Sequence, residues 1–210
     1  MVTLTREDWL QVAEQQSVQT RSLILSVAVN LIAELGYSRF STSLLAERAN
    51  VSRGALQHHF GNRKTDLVLA VAEHVYGRFQ QNADRIIPAD ASLETRIEKT
   101  LDSAFEIYSG PEAVVLLELW MAARSDETLK ARLAPVMAGL DDAIGSGWAS
   151  RFSSTEATAE RVEAVRYLAR FMFRGMTLER QLWTNEALER RVVDLMKELM
   201  ITVLVDRPTE

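Results

Sequence analysis

The sequence predicts an all-α protein, with a small N-terminal three-helix domain built around a helix-turn-helix and a larger C-terminal helical domain. Three observations predict it. Gly and Pro are scarce, nine and four in 210 residues, and the chain is rich in Ala, Leu, Glu and Arg, which favour helix nearly throughout. The stretch Ser41 to Lys64, STSLLAERANVSRGALQHHFGNRK, reads as two short helices joined by a tight turn. Apolar residues recur at helical spacing before and after it, punctuated by Gly and Pro, and no strand-like alternation persists.

Taken in order, residues 1–17 form an N-terminal extension. Thr5-Arg6-Glu7-Asp8 resembles a capping arrangement ahead of Trp9, Leu10, Val12 and Ala13. From Val18 to Leu35 the residues Ile24, Leu25, Ala28, Leu31, Ile32 and Leu35 keep helical spacing, and Gly36 stops the helix. Tyr37 and Phe40 anchor the connector. Ser41 caps the next helix, whose apolar side is Leu44, Leu45, Ala46 and Ala49. Asn50 ends it, since Asn tolerates a left-handed backbone. Val51 turns inward and Ser52 caps a helix from Arg53 to Phe60, with Leu56 and Phe60 on one face. Residues 18–64 make the first domain.

A long connecting helix follows to Pro88, carrying Leu67, Val68, Ala70, Val71 and Val75, then Phe79. The larger domain, 89–210, opens with a helix to Tyr108, ended by Ser109-Gly110. Pro111 starts one that is apolar nearly all round, and such a helix is expected at the centre. The next starts at Ser125 or Asp126, is interrupted by Pro135 and loosens at Gly145-Ser146-Gly147. Two more helices are expected at about 156–183 and 185–205.

A short helix with polar and cationic groups at its start, held by a preceding helix across a tight turn, is the layout of a DNA-reading helix-turn-helix. The register of Gly36, Tyr37, Ser41, Leu45, Ala46, Ala49, Asn50, Val51, Ser52, Gly54, Leu56, His59, Phe60, Lys64 and Leu67 resembles the N-terminal domain of the TetR family of bacterial transcriptional regulators, over about residues 21–75. Two positions depart from that family: Asn50 stands where Gly is usual, and Gln57 where a Tyr commonly touches the DNA backbone. The resemblance implies an inducer pocket in the larger domain and a four-helix dimer interface built from the last two helices of each copy.

Charge agrees with docking by one end. The net charge is −5, yet residues 1–65 carry seven Lys/Arg against five acids, while the remaining 145 carry 17 against 24. No cysteine is present, which excludes disulfides and thiolate metal sites. His58 and His59 are consecutive on a helix and His74 is sixteen residues from His58, so no metal pair forms. No phosphate loop, nucleophile elbow or converging carboxylates suggest an enzyme or a cofactor. No apolar run after a basic start suggests a signal peptide, and no uncharged run approaches the roughly 20 residues of a membrane span. A cytoplasmic protein is expected.

Candidate DNA contacts are Ser41, Thr42 and Ser43 at a helix N-terminus suited to phosphate, and Ser52, Arg53, Ala55, Gln57, His58 and His59 on the reading helix. Arg53 is the strongest base reader, because guanidinium meets guanine O6 and N7 bidentately. Lys64, a cation in the first turn of a helix, is explained by a phosphate there. Candidate ligand contacts are Phe79, Phe105, Tyr108, Trp120, Met137, Trp148, Phe171 and Met172, with Arg124 or Arg174 for an anionic group and Glu118 as a competing partner for either arginine. Candidate dimer residues are Val165, Met172, Met176, Leu188, Val192, Leu195, Met196, Leu199 and Val203, and Gly175 permits close helix approach. The expected function is a homodimeric repressor, released from a near-palindromic operator by a small molecule. A constitutive DNA-binding or architectural protein with a filled core is the runner-up.

Overall fold

The computed structural model describes residues 5–85, 87–88 and 90–205. Among them are nine α-helices: α1 Arg6–Leu35, α2 Thr42–Arg48, α3 Arg53–Phe60, α4 Lys64–Arg85, α5 Leu93–Tyr108, α6 Pro111–Ser125, α7 Glu127–Arg151, α8 Ala159–Glu179 and α9 Glu186–Val205. The expected all-helical architecture is present.

The punctuation works as the residue chemistry requires. Gly36 ends α1 with φ 77°, and Asn50 follows α2 with φ 52°. The hydroxyls of Ser41, Ser52, Ser92 and Thr158 and the Asp126 carboxylate each accept a free backbone N–H in the first turn of the helix that follows.

Three boundaries differ from the sequence reading. Residues 6–17 are not a separate segment but the first turns of α1, and their described side chains stay exposed. The side chains of Glu7 and Asp8 in the expected cap, and of Trp9 in the amphipathic segment, lie outside the described residues, as do residues 1–4. Pro135 does not interrupt α7, because the carbonyl its missing N–H leaves unbonded belongs to Ala131, on an exposed turn open to water. The Gly145–Gly147 segment stays helical as well. There Ser146 donates to the Asp142 carbonyl at 2.9 Å, and a Cβ on Gly145 would meet the Arg166 guanidinium at 3.6 Å.

Two cores organise the chain. The first joins α1–α4 to α6 and the N-terminal half of α7, with Ile24, Ile32, Phe40, Leu45, Leu67, Val71, Leu116 and Leu129 fully enclosed. The second packs α5, α8, α9 and Phe152 around Ile97, Leu101, Phe173 and Met200. Leu10–Leu35 contains an 18-residue stretch of mean hydropathy 1.3 and, by length and composition alone, is long and apolar enough to cross a membrane. Its apolar face is instead spent on the first core, against α2, α4 and α6.

Polar ties fix α4 and the α1–α2 turn to α6 and α7. Arg132 of α7 donates to Thr65 at 2.8 Å and pairs with Asp66 at 2.6 Å, on the first turn of α4. Arg78 of α4 meets Glu112 of α6 at 2.7 Å. The Tyr37 N–H donates to Glu118 of α6 at 2.8 Å, so Glu118 serves the turn after α1 rather than Arg124 or Arg174.

Candidate DNA interface and ligand cavity

Leu56 and Phe60 seat α3 on the first core, which turns Arg53, Gly54, Gln57 and His58 to the surface and leaves Ala55 and His59 half-buried. Ser52 accepts from Ala55 N at 3.0 Å, and Ser41 accepts from Leu44 N at 3.2 Å, so both hydroxyls first serve as caps. Thr42 is half-buried and Ser43 exposed beside Ser41. A Cβ on Gly54 would meet only the Ser52 hydroxyl, at 3.7 Å, so internal packing does not demand glycine there.

Lys64 is more enclosed than its sequence suggests. Its ammonium donates to the Tyr37 carbonyl at 2.9 Å and lies 3.9 Å from the Tyr37 ring centre. Burial pushes its pKa below the ordinary lysine value. One of its three N–H groups is committed to Tyr37. Burial, then His58 and Arg21, holds His59 below the usual histidine value.

A cavity of about 140 Å³ lies between α4, α5, α7 and α8. Of the residues expected to bind a ligand, it brings together Phe79, Tyr108, Trp148 and Arg174. Six stand elsewhere. Phe105 is buried in the second core with the guanidiniums of Arg190 and Arg180 4.3 and 5.0 Å from its ring. Trp120 packs on the first core, 4.0 Å from Arg174 but off the lining, and Met137 packs on the same core. Met172 packs on the second core, and Arg124 and Phe171 are exposed.

The sequence reading missed most of the polar lining. Arg166, Arg170 and Arg174 rise along one face of α8, joined by Arg151 and Asp141 from α7 and Thr100 and Ser103 from α5. The i, i+4, i+8 spacing of the three α8 arginines was visible, but a charged stripe is ordinarily a solvated face. An open groove of about 680 Å³ adjoins the cavity and shares Asp141, Trp148 and Arg166 with it. Burial opposes ionisation of Asp141, yet Arg166, Arg170 and Tyr167 together hold its carboxyl below the usual range. Burial pushes the phenol of Tyr76, also on the lining, up to about 12.

The expected dimer residues divide. Val165 and Met196 are buried within their own chain. Leu188, Leu195 and Leu199 are exposed, and Met172, Met176, Val192 and Val203 lie half-buried along α8 and α9. Leu168, Phe171, Leu178, Leu182 and Trp183 extend the exposed apolar surface, and a Cβ on Gly175 would meet nothing in the chain. Among the described residues no group of three or more His, Asp or Glu is placed to hold a metal.

Comparisons with known proteins agree with this geometry. Residues 24–71 match the family model of bacterial regulatory proteins, tetR family. An uncharacterized HTH-type transcriptional regulator of Mycobacterium tuberculosis is 26% identical over 187 residues, 89% of this chain and 95% of that protein. The HTH-type transcriptional regulator CymR of Pseudomonas putida is 24% identical over 172 residues, covering 82% of this chain and 84% of CymR. A transcriptional regulator from Rhodococcus sp. Rha1 shares the fold, with a TM-score of 0.67 at 17% identity over 89% of this chain and 99% of that one. Residues 24–71 thus form a tetR-type DNA-binding domain, and along most of its length the chain is similar to HTH-type transcriptional regulators, which supports a DNA-binding regulator.

Proposed function

We propose that the protein is a homodimeric repressor that a small molecule releases from a near-palindromic operator. The observation that carries this reading is the cavity's position on α4. Tyr76 and Phe79 of α4 form part of its wall, while Lys64 starts the same helix four residues after α3 ends. Fifteen residues of helix separate the two ends, roughly 22 Å. A ligand that moves the far end of α4 tilts α3, and two reading helices tilted apart no longer fit successive major grooves. The cavity argues against a constitutive architectural protein with a filled core.

In this reading Arg53 reads a guanine, and Gln57 and His58 face base edges or phosphate. Gly54 and Ala55 let the backbone come close. Ser41, Thr42, Ser43, Ser52, His59 and Lys64 lie along the phosphates. The exposed apolar residues of α8 and α9 pair across a two-fold axis. DNA and ligand must weaken each other's binding by the same factor.

Selection of bound fragments from random DNA tests the reading. Two inverted half-sites about one helical turn or more apart are expected. Arg53→Ala should cost about 1–3 kcal/mol and relax one position of each half-site. Ala104→Phe, which fills the cavity, should lower operator affinity as a ligand would. Loss of neither affinity nor sequence preference in Arg53→Ala removes the base-reading role. Full operator affinity in a folded Ala104→Phe variant counts against release through the cavity.

A further inference from the structure

The cavity wall carries more positive than negative charge. Arg151, Arg166, Arg170 and Arg174 line it, against Asp141 as the one carboxylate on the described lining. Asp141 is fully engaged: Arg166 donates to it at 2.8 Å, the Tyr167 hydroxyl at 3.0 Å, and Arg170 pairs with it directly. The Tyr167 ring lies 4.5 and 4.0 Å from the guanidiniums of Arg166 and Arg170. Arg166 also reaches Glu163 at 3.5 Å.

The same arrangement recurs one turn along α8, without a carboxylate. Arg174 stands over the Trp120 ring at 4.0 Å, and Tyr108 lines the cavity with it. The Nε groups of Arg170 and Arg174 are buried with no hydrogen-bond partner in the protein, and so is the hydroxyl of Thr100, itself 7% exposed. Arginine does not give up its proton, and a buried cation needs a counter-charge. Guanidiniums four residues apart on a helix also repel one another. Arg170 has Asp141 as its counter-charge, so the electrostatics call for an anion at Arg174, beside the unpartnered Nε of Arg170. The rest of the lining is mainly apolar, including Phe79, Ile107, Ile144 and Phe173. At about 140 Å³ the space is close to the ~150 Å³ that holds one benzene ring in an apolar protein cavity.

We propose that this cavity takes a small organic monocarboxylate with a compact apolar body of about one ring. Its carboxylate meets Arg174 and Arg170 within reach of Thr100, as Asp141 meets Arg166 and Tyr167. The ring lies among the aromatic and aliphatic side chains. A carboxylate suits the planar guanidinium fork. This deepens the effector reading above and rests on it only for the effect on DNA.

Benzoate, benzamide and benzylamine share a ring and differ in charge, and octanoate keeps the carboxylate on an extended chain. Calorimetric titration of the purified full chain should give benzoate at least tenfold tighter binding than benzamide or octanoate, and no binding of benzylamine. Arg174→Gln should lower benzoate affinity at least tenfold and leave benzamide unchanged, with a melting curve confirming that the variant folds. Thr100→Val, which keeps the side-chain shape, should lower benzoate affinity several-fold. The proposal is overturned if benzamide, benzylamine or octanoate binds as tightly as benzoate, if no probe binds, or if benzoate binding survives both substitutions. Operator binding separates the two readings. Benzoate that binds without weakening operator affinity upholds the ligand class and sinks release; release by benzamide or benzylamine without benzoate binding does the reverse.

Discussion

The hydrogen bond between the turn after α1 and α6 makes the sharpest stability prediction. The Tyr37 N–H donates to the Glu118 carboxylate at 2.8 Å, across 81 residues of sequence, and both residues are half-buried. A hydrogen bond to a charged group contributes about 1.5–3 kcal/mol net, and water reaching a half-buried amide favours the lower end. Glu118→Ala should therefore cost about 1.5–2 kcal/mol. For a chain of this size that is a Tm fall of about 3–8 °C. Glu118→Gln keeps an acceptor and loses only the charge, so it should cost about half as much. Thermal melting supplies the first readout and hydrogen exchange at the Tyr37 amide the second. That amide should lose protection in Glu118→Ala and keep most of it in Glu118→Gln. A Glu118→Ala variant that melts within about 1 °C of the parent, or an equal fall in both variants, would refute the reasoning.

Lys64→Met should lower Tm by removing the hydrogen bond to Tyr37 and, if the ammonium also meets phosphate, reduce the log–log salt slope of operator binding by about 0.9 for each phosphate no longer neutralised; an unchanged slope would confine Lys64 to bracing the turn. Burial, with Arg78 adding to it, holds His74 below the usual histidine value, and its Nε2 has no partner in the protein. The unfolded chain then takes up that proton first, so stability falls as pH drops below about 6.5; denaturant midpoints of His74→Gln and parent should converge towards pH 5, and parallel curves would clear His74. Leu182 and Leu195 are 91% and 62% exposed; Leu182→Glu with Leu195→Glu should shift the protein to monomers in sedimentation and abolish operator binding, and a persistent dimer would remove the α8–α9 face from the interface.

The fold was legible wherever local chemistry decides. Ser41, Asn50 and Ser52 mark the helix-turn-helix by capping and by a left-handed turn, which act within a few residues. Leu93–Tyr108 and the Pro111 start of α6 were readable for the same reason. Pro135 and the Gly145–Gly147 segment misled because the carbonyl that Pro135 leaves unbonded lies on an exposed turn open to water, and a helix-interior Gly costs only about 1 kcal/mol. The cavity was less legible. Which aromatic faces which gap depends on helix rotation, so Phe79 and Tyr108 end on its wall while Phe105 packs in the second core beside two arginines.

Helix α8 shows how far rotation can reverse a composition-based reading. Composition places Phe171 inside and the arginines either outside or, at Arg174, singly against a ligand. The helix instead presents Leu168, Phe171 and Leu178 to the exterior and Arg166, Arg170 and Arg174 to the interior. Phe173, Val165 and Ala169 are buried as well, so α8 is apolar on two sides with a cationic row between. In an isolated chain such a helix leaves apolar area in water and charge out of it, both unfavourable. A partner chain over Leu168, Phe171 and Leu178 would relieve the first cost. An anion at Arg174 would relieve the second. Both binding events then act on the same 21-residue helix, so a ligand that shifts α8 is felt at the dimer face as directly as at α4.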